Sequence, residues 1–316
     1  MAIFKDYLEN NSPLILHGAL GTEMETLGYD ISGKLWSAKY LLEKPEVIQE
    51  IHETYVAAGA DLITTSSYQA TLPGLVEAGL TEREAEQVIA LTVQLAKAAR
   101  DKVWAALDES EKAKRPYPLI SGDVGPYAAY LANGSEYTGD YGQIIIEALK
   151  DFHRPRIQIL LDQGVDLLAL ETIPNRLEVQ ALVELLAEEF PEAEAYISFT
   201  VQVPDAISDG TSLEEVAELV SQSEQILAFG INCSSPILYD QALTILKNAG
   251  KSLITYPNSG EVYDGSTQTW KPKDKDALTL VEHSKDWHNQ FGVKILGGCC
   301  RTRPNDIKAL YTEFRT

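Results

Sequence analysis

The stretch VKILGGCCR at residues 293–301 decides how the whole chain is interpreted. It begins as a short apolar run of the kind that forms a buried strand, and it ends in two glycines and two adjacent cysteines, Cys299 and Cys300. The remaining cysteine, Cys233, follows the apolar run at 227–231 in the same way. Cysteines directly after two buried strands predict a site at one end of a parallel sheet, where the ends of the strands meet.

Eight apolar or β-branched runs alternate with segments of helical periodicity. Several runs are apolar on both faces, as the strands of a buried parallel sheet are. This alternation predicts an α/β fold, a single-domain (β/α)8 TIM barrel over residues 1–316, with a doubly wound open sheet as the alternative. The predicted strands are Leu14–His17, Leu62–Thr65, Leu119–Gly122, Leu167–Glu171, Ala195–Thr200, Leu227–Ile231, Ser252–Tyr256 and Val293–Leu296.

Local signals mark several helix ends. Pro45 begins one helix and Gly59 is a plausible end for it. Thr81 and Glu84 match a capping box before the next helix. Pro155 lies inside a periodic segment from about residue 143 to 162 and is expected to kink or split that helix.

Composition excludes several classes of function. Lysine and arginine total 26 against 47 aspartate and glutamate, a formal charge of −21 that disfavours nucleic acid and mildly favours small cationic partners. The sequence contains no run of about 18 apolar residues, so no membrane span is predicted. Residues 1–13 lack the apolar core of a signal peptide. With an odd number of cysteines, these features predict a cytoplasmic protein that acts on small molecules, and they leave its oligomeric state open.

The three cysteines match the ligand count of a catalytic zinc site, which keeps a fourth position open. A substrate thiol in that position would lose its proton to become a nucleophile, so no separate general base is predicted. Adjacent cysteines in a strand point to opposite faces, and both reach one ion only if the chain turns, which Gly297 and Gly298 permit. Ordinary packing and a vicinal dithiol redox pair are the alternatives.

Other polar residues lie at predicted strand ends or in long loops. Glu171 ends the fourth strand and suits an ammonium group, unless it is a buried acid paired with an arginine. Asn232 either hydrogen-bonds substrate or stabilises its turn, and Ser67 offers a hydroxyl after the second strand. Trp36 offers an aromatic face to a cationic methyl donor. His17 ends the first strand as a pocket donor, a metal ligand or a buried packing residue.

These motifs resemble the homocysteine S-methyltransferase family over nearly the whole chain. The set is most similar to the bacterial and plant branch that uses S-methylmethionine, although the cysteine pattern is shared with betaine-dependent and cobalamin-dependent relatives. The matching segments are GGCCR at 297–301, GINC at 230–233, GALGTE at 18–23, LWSAK at 35–39, SYQAT at 67–71, VGPY at 124–127, DFHRPR at 151–156 and YPNSGE at 256–261.

The resemblance implies a (β/α)8 barrel that holds zinc on Cys233, Cys299 and Cys300 and transfers a methyl group to the homocysteine thiol, giving methionine. The donor it implies is S-methylmethionine, with S-adenosylmethionine or betaine as alternatives. It also implies that Glu171 binds the amino group of homocysteine. Relatives commonly have aspartate where this chain has His17, which shifts more of that role to Glu171 and Glu23.

Overall fold

The computed structural model describes residues 3–11, 13–33, 35–264, 269–271 and 277–315. Eight parallel strands form one sheet, and each pairs with its neighbour along the chain. A bridge between Leu16 and Leu62 brings the first and second strands together, so the sheet closes into the predicted barrel. The strands are β1 Leu14–Ile15, β2 Leu62–Thr64, β3 Leu119–Val124, β4 Leu167–Ile173, β5 Ala195–Phe199, β6 Ile226–Asn232, β7 Ser252–Tyr256 and β8 Ile295–Leu296.

Helices connect successive strands, as a parallel sheet requires. Two short antiparallel hairpins, Val201–Val203 with Ala206–Ile207 and Val262–Asp264 with Thr269–Lys271, lie outside the barrel sheet. Within the described residues, no helix is long and apolar enough to cross a membrane. The α-helices are Ile3–Asn10, Leu20–Thr26, Tyr40–Glu43, Pro45–Ala58, Leu72–Glu77, Glu82–Ala106, Glu109–Lys112, Tyr127–Leu131, Ile146–Asp162, Arg176–Glu189, Leu213–Ser221, Tyr239–Leu246, Leu280–Phe291 and Pro304–Arg315, and the 3-10 helices are Trp36–Lys39, Ser135–Tyr137, Pro236–Leu238 and Lys247–Ala249.

The predicted helix ends are confirmed, with one exception. Pro45 begins its helix, and Gly59 ends it with a φ of 109°. Thr81 forms the reciprocal capping box with Glu84. The split that was one of the two expectations at Pro155 is wrong, because the helix runs unbroken from Ile146 to Asp162, and a kink there stays a prediction. Buried residues on both sides of the proline hold the two halves on the same surface, and this packing outweighs the missing N–H.

Side chains alternate between two cores along the strands. Leu14 and Leu16 point into the barrel, whereas Ile15 between them points outward to the helices. The N-terminal helix adds Phe4 and Leu8 to the inner core. Its backbone N–H at Phe4 donates to Glu194, which directly precedes β5, so this helix covers the N-terminal end of the barrel. The other end remains available for loops and for a site.

Candidate metal centre and active-site cavity

Three cysteines from two loops come together at the C-terminal end of the barrel. Cys233 follows β6, and Cys299 and Cys300 follow β8. Their Sγ atoms all lie within 4.8 Å of one another, and those of Cys233 and Cys300 are 3.7 Å apart. Four sulfurs about 2.3 Å from one zinc ion would lie roughly 3.8 Å apart at tetrahedral angles. The donor type and spacing therefore fit a zinc ion.

The loop after β7 holds both cysteine loops in place. The backbone N–H of Cys233 donates to the carbonyl oxygen of Tyr256 at 3.2 Å, and that of Cys299 donates to Pro257 at 2.7 Å. The N–H of Ser259 donates in turn to the carbonyl oxygen of Cys300 at 3.0 Å. The sequence segment YPNSG at 256–260 thus positions the thiols through its main chain.

The two glycines before the cysteines have a different role from the predicted one. Neither makes the turn with a left-handed backbone. Arg301 does so with a φ of 67°, and Cys233 has a φ of 49° in the other loop. A Cβ at Gly297 would lie 2.7 Å from the Cβ of Leu16, and a Cβ at Gly298 would overlap the side chain of Thr302. The glycines are needed for close approach of neighbouring segments.

A cavity of about 500 Å³ lies next to the three sulfurs. Its walls come from the loops after most of the barrel strands, with Glu171 and Tyr256 beside the cysteines. Non-glycine residues with positive φ are strained, and such strain concentrates at functional sites. In the described part of the chain all five of them line this cavity, namely Trp36, Ala132, Thr172, Cys233 and Arg301.

The predicted substrate-binding residues fall into two groups. Glu171, His17 and Trp36 line the cavity. Glu23, Ser67 and Asn232 lie behind the residues that line it, where each holds a neighbouring group. Glu23 pairs with Arg303 at 3.0 Å, Ser67 Oγ donates to the carbonyl oxygen of Asp123 at 2.8 Å, and Asn232 Nδ2 donates to Thr172 Oγ1 at 2.8 Å.

Glu171 is a buried carboxyl group that is only partly ionised at neutral pH. Burial raises the pKa of its carboxyl group to about 7, although the hydroxyl of Tyr256, which donates to Oε2 at 3.1 Å, opposes that shift. No lysine or arginine of the described residues forms an ion pair with Glu171. The alternative of a structural acid paired with arginine is therefore not supported.

His17 is a neutral residue of the cavity wall. Its Nδ1 hydrogen-bonds to the carbonyl oxygen of Gly18, and burial lowers the pKa of the imidazole to about 4. It therefore carries no charge at pH 7. It supplies neither the fixed negative charge of an aspartate nor a positive charge that would repel an ammonium group.

Asp123 is a cavity residue that the sequence analysis missed. Its side chain is 4% exposed and lines the cavity, and Oδ1 has no hydrogen-bond partner within the described chain. Burial, and then the charge of Glu171, raise the pKa of Asp123 well above its usual range. The predicted strand ended at Gly122, whereas β3 continues to Val124. An acid at the end of an apolar run, as for Glu171, was the signal available.

Aromatic side chains stand at the mouth of the cavity. Trp36 is 38% exposed and Tyr137 is 49% exposed, and both line the cavity. Negative charge on Cys233, when that thiol is ionised, and then burial raise the pKa of Tyr137. Other tyrosines of these loops pack on one another instead, since Tyr127 contacts Tyr130 and Tyr141.

A buried charged network supports the loops from below. Arg156 donates through Nη1 to the carbonyl oxygen of Tyr68 at 3.1 Å and through Nη2 to that of Gly125, which joins the loops after β2 and β3. His153 lies between Arg156 and Glu178, with Nε2 at 2.8 Å from Glu178 Oε1. The helix that carries HRPR at 153–156 thus fixes the loops on either side of Asp123.

Known proteins match the chain along its length. The sequence profile described as "Homocysteine S-methyltransferase" matches residues 14–314. "Homocysteine S-methyltransferase YbgG" of Bacillus subtilis (strain 168) is 44% identical over 305 residues, covering 96% of this chain and 95% of that protein. "Homocysteine S-methyltransferase 1" of Brassica oleracea var. italica is 40% identical over 317 residues, covering 99% and 97%. The solved structure of the homocysteine methyltransferase MmuM from Escherichia coli, metallated form, superposes with a TM-score of 0.86 at 41% identity, covering 98% of this chain and 99% of that one.

Proposed function

Because the chain belongs to the homocysteine S-methyltransferase family and is an enzyme of that activity, we propose that it holds zinc on Cys233, Cys299 and Cys300 and takes its methyl group from S-methylmethionine. The observation that carries the zinc proposal is the convergence of three Sγ atoms within 4.8 Å at the wall of the cavity. The metallated form of a similar protein adds support.

The thiol cluster is prepared to bind a metal cation. Hydrogen bonds from the thiols of Cys233 and then Cys299 lower the pKa of the Cys300 thiol well below its usual range. One thiolate therefore exists at neutral pH to begin metal binding. Zinc, when bound, lowers the pKa of a substrate thiol and keeps the sulfur nucleophilic at neutral pH.

The remaining cavity residues orient the substrates. Glu171 binds the ammonium group of homocysteine, and the Tyr256 hydroxyl keeps the carboxylate directed into the cavity. Thr172, held by Asn232, shapes the wall beside it. Holding the substrate thiol in line with a methyl group removes the entropic cost of bringing two molecules together, which accounts for much of the acceleration.

A sulfonium donor suits the charge of the cavity. Four acidic residues line it, and the faces of Trp36 and Tyr137 at the mouth attract cations. S-methylmethionine carries a sulfonium group, as does S-adenosylmethionine, whereas betaine carries a quaternary ammonium. The protein is further proposed to act in the cytoplasm, because its three cysteines are free thiols and need a reducing compartment. The acidic residues are Glu25, Asp123, Glu136 and Glu171.

A turnover assay with homocysteine and several methyl donors tests the choice of donor. The zinc-loaded enzyme is expected to form methionine fastest with S-methylmethionine, more slowly with S-adenosylmethionine, and slowest with betaine. The kcat/KM for each donor is measured at one fixed homocysteine concentration. A higher kcat/KM with betaine than with either sulfonium would overturn the proposed donor and leave the family activity standing.

Replacing Cys299 tests the metal. The Cys299→Ala variant is expected to lose stoichiometric zinc and all measurable turnover, because two thiols do not complete the three-ligand site. Zinc content is measured by elemental analysis of the purified protein, and circular dichroism checks that the variant is folded. Normal turnover in a metal-free Cys299→Ala protein would refute the proposal. Wild-type protein that is purified without metal and reversibly loses two titratable thiols on mild oxidation would support the vicinal dithiol redox role instead.

A further inference from the structure

The carboxyl group of Asp123 is buried, and one of its two oxygens has no hydrogen-bond donor in the described chain. Its main chain is fixed on both sides, because its N–H donates to Thr65 Oγ1 at 2.9 Å and its carbonyl oxygen accepts from Ser67 Oγ at 2.8 Å. The side chain is only 4% exposed and faces the cavity, yet Oδ1 has no hydrogen-bond partner in the described chain. Burying an unsatisfied carboxyl oxygen is costly, so an unsatisfied group that faces a cavity indicates a ligand.

The neighbouring carboxyl group is that of Glu171. Strands β3 and β4 run in parallel with Asp123 opposite Ala169, which brings the ends of both strands to the same wall. Both side chains line the cavity at this wall, and burial together with the negative charge of Glu171 raises the pKa of Asp123. Two neighbouring carboxyl groups that do not both ionise in an empty cavity form a receptor for a cation, because a bound cation allows both to ionise.

In the part of the chain that the structure describes, no ion pair joins Asp123 or Glu171 to a lysine or arginine. The positive charge that acts on Asp123 is that of Arg156, which is fully buried and lowers the pKa of Asp123. Arg156 directs its amino groups to the carbonyl oxygens of Tyr68 and Gly125 and to His153, and its Nε has no partner in the described chain. Neutral His17 lines the same cavity and offers no charge. The missing cation therefore comes from a ligand.

The ligand cation is organic rather than a metal ion. In the described residues, the only cluster with metal-ligand spacing is that of the three cysteines, and it includes neither Asp123 nor Glu171. A primary ammonium group carries three N–H donors and one positive charge, which matches two carboxyl groups with free acceptor positions. It is also the cation that homocysteine, the acceptor substrate, carries a few bonds from its thiol.

We propose that Asp123 is a second substrate-binding residue, whose carboxyl group accepts a hydrogen bond from the ammonium group of homocysteine alongside Glu171. The inference rests on the proposed function of the cavity. It gives Asp123 a share in binding the ammonium group, a role that the family resemblance assigned to Glu171 and Glu23. It explains how the chain binds an amino acid although His17 carries no negative charge. Asp123 thereby determines specificity for thiols that carry an amino group.

The test compares homocysteine with 4-sulfanylbutanoate, which has the same thiol and carboxylate but no amino group. In the Asp123→Ala variant, the KM for homocysteine is expected to rise at least about tenfold, whereas the KM for 4-sulfanylbutanoate stays within about twofold. The preference for homocysteine in kcat/KM falls accordingly. A folded variant with the preference of the wild type would overturn the proposal.

The control removes a different buried carboxylate. Asp61 lies at the N-terminal end of the barrel, where it pairs with Arg315 at 2.9 Å and with Arg115 at 3.6 Å. The Asp61→Asn variant is expected to lower the melting temperature without changing the preference between the two thiols. A change of preference in this control equal to that in Asp123→Ala would assign the effect to general loosening and overturn the proposal.

A binding measurement separates this inference from the proposed activity. Calorimetry measures the dissociation constants of methionine and of 4-(methylsulfanyl)butanoate, which lacks the amino group. The measurement needs neither turnover nor a methyl donor. If Asp123→Ala does not fold, the same measurement is made on Asp123→Asn, which keeps the size of the side chain. At least about tenfold weaker methionine binding, with unchanged binding of the analogue, supports the proposal even if the donor panel fails. Equal losses for both ligands contradict it.

Discussion

Burial decides which side chains of the cavity carry a charge. The same desolvation that makes His17 neutral at pH 7 raises the pKa of Glu171 to about 7. Removing either charge from water is unfavourable, so the base loses its proton and the acid is only partly ionised at pH 7. A bound ammonium group favours the ionised carboxylate and completes its ionisation. Each of these shifts comes from position in the fold, since the two side chains have ordinary pKa values in water.

This balance predicts a pH dependence of binding. With a pKa of about 7, most of Glu171 is protonated at pH 6 and most is ionised at pH 8. The dissociation constant of methionine, which has no thiol to titrate, is therefore expected to fall about five- to tenfold from pH 6 to pH 8. Calorimetry at both pH values measures the change. The Glu171→Gln variant is expected to bind weakly and with a smaller slope, because Asp123 remains as a titrating carboxyl group. An unchanged slope in that variant would exclude Glu171 as its source.

The helix Ile146–Asp162 determines where two active-site loops lie. Arg156 on this helix is fully buried and donates to main-chain carbonyl groups of the loops after β2 and β3, and His153 one turn earlier contacts Glu178. Asp123 lies between these loops, so its position depends on the network beneath it. The segment HRPR at 153–156 is therefore a support of the cavity although none of its residues lines it.

Replacing Arg156 tests this support. The Arg156→Ala variant leaves buried carbonyl oxygens without donors, and the free energy of unfolding is expected to fall by roughly 3–5 kcal/mol, as measured by urea denaturation. Arg154 on the same helix is a matched control. It pairs with Asp151 and Glu189 at a partly exposed surface, so Arg154→Ala is expected to cost less than about 1 kcal/mol. Similar losses in both variants would contradict the proposed support.

Across the whole molecule, the two ends of the barrel have separate roles. The C-terminal end carries the thiols and the cavity. At the N-terminal end, Asp61 accepts a hydrogen bond from the N–H of Ile15 and forms an ion pair with Arg315 of the last helix. These contacts hold that helix against the barrel where β1 and β2 meet. Phe4 of the first helix is fully buried in the inner core at that end. Changes at this end are expected to alter stability and leave chemistry intact.

Phe4→Ala tests the separation of the two ends. Loss of a fully buried aromatic side chain is expected to lower the free energy of unfolding by about 3–5 kcal/mol. At temperatures where the variant remains folded, its kcat and zinc content are expected to equal those of the wild type. Lys5→Ala, at the exposed neighbouring position, serves as the control and should leave stability nearly unchanged. A fall in kcat of folded Phe4→Ala would contradict the separation.

The sequence by itself determined the eight strands, the barrel and the convergence of Cys233 with Cys299 and Cys300. These features follow from local periodicity and from the rule that the ends of parallel strands share one face. Only the tertiary structure decided that Asp123 faces the cavity while Glu23, Ser67 and Asn232 lie behind it, and that the helix at Pro155 runs unbroken. The reason is physical. Burial, close approach of separate segments and the pairing of charges depend on neighbours distant along the chain. A residue pattern such as an acid at the end of an apolar run marks a candidate position but does not identify those neighbours.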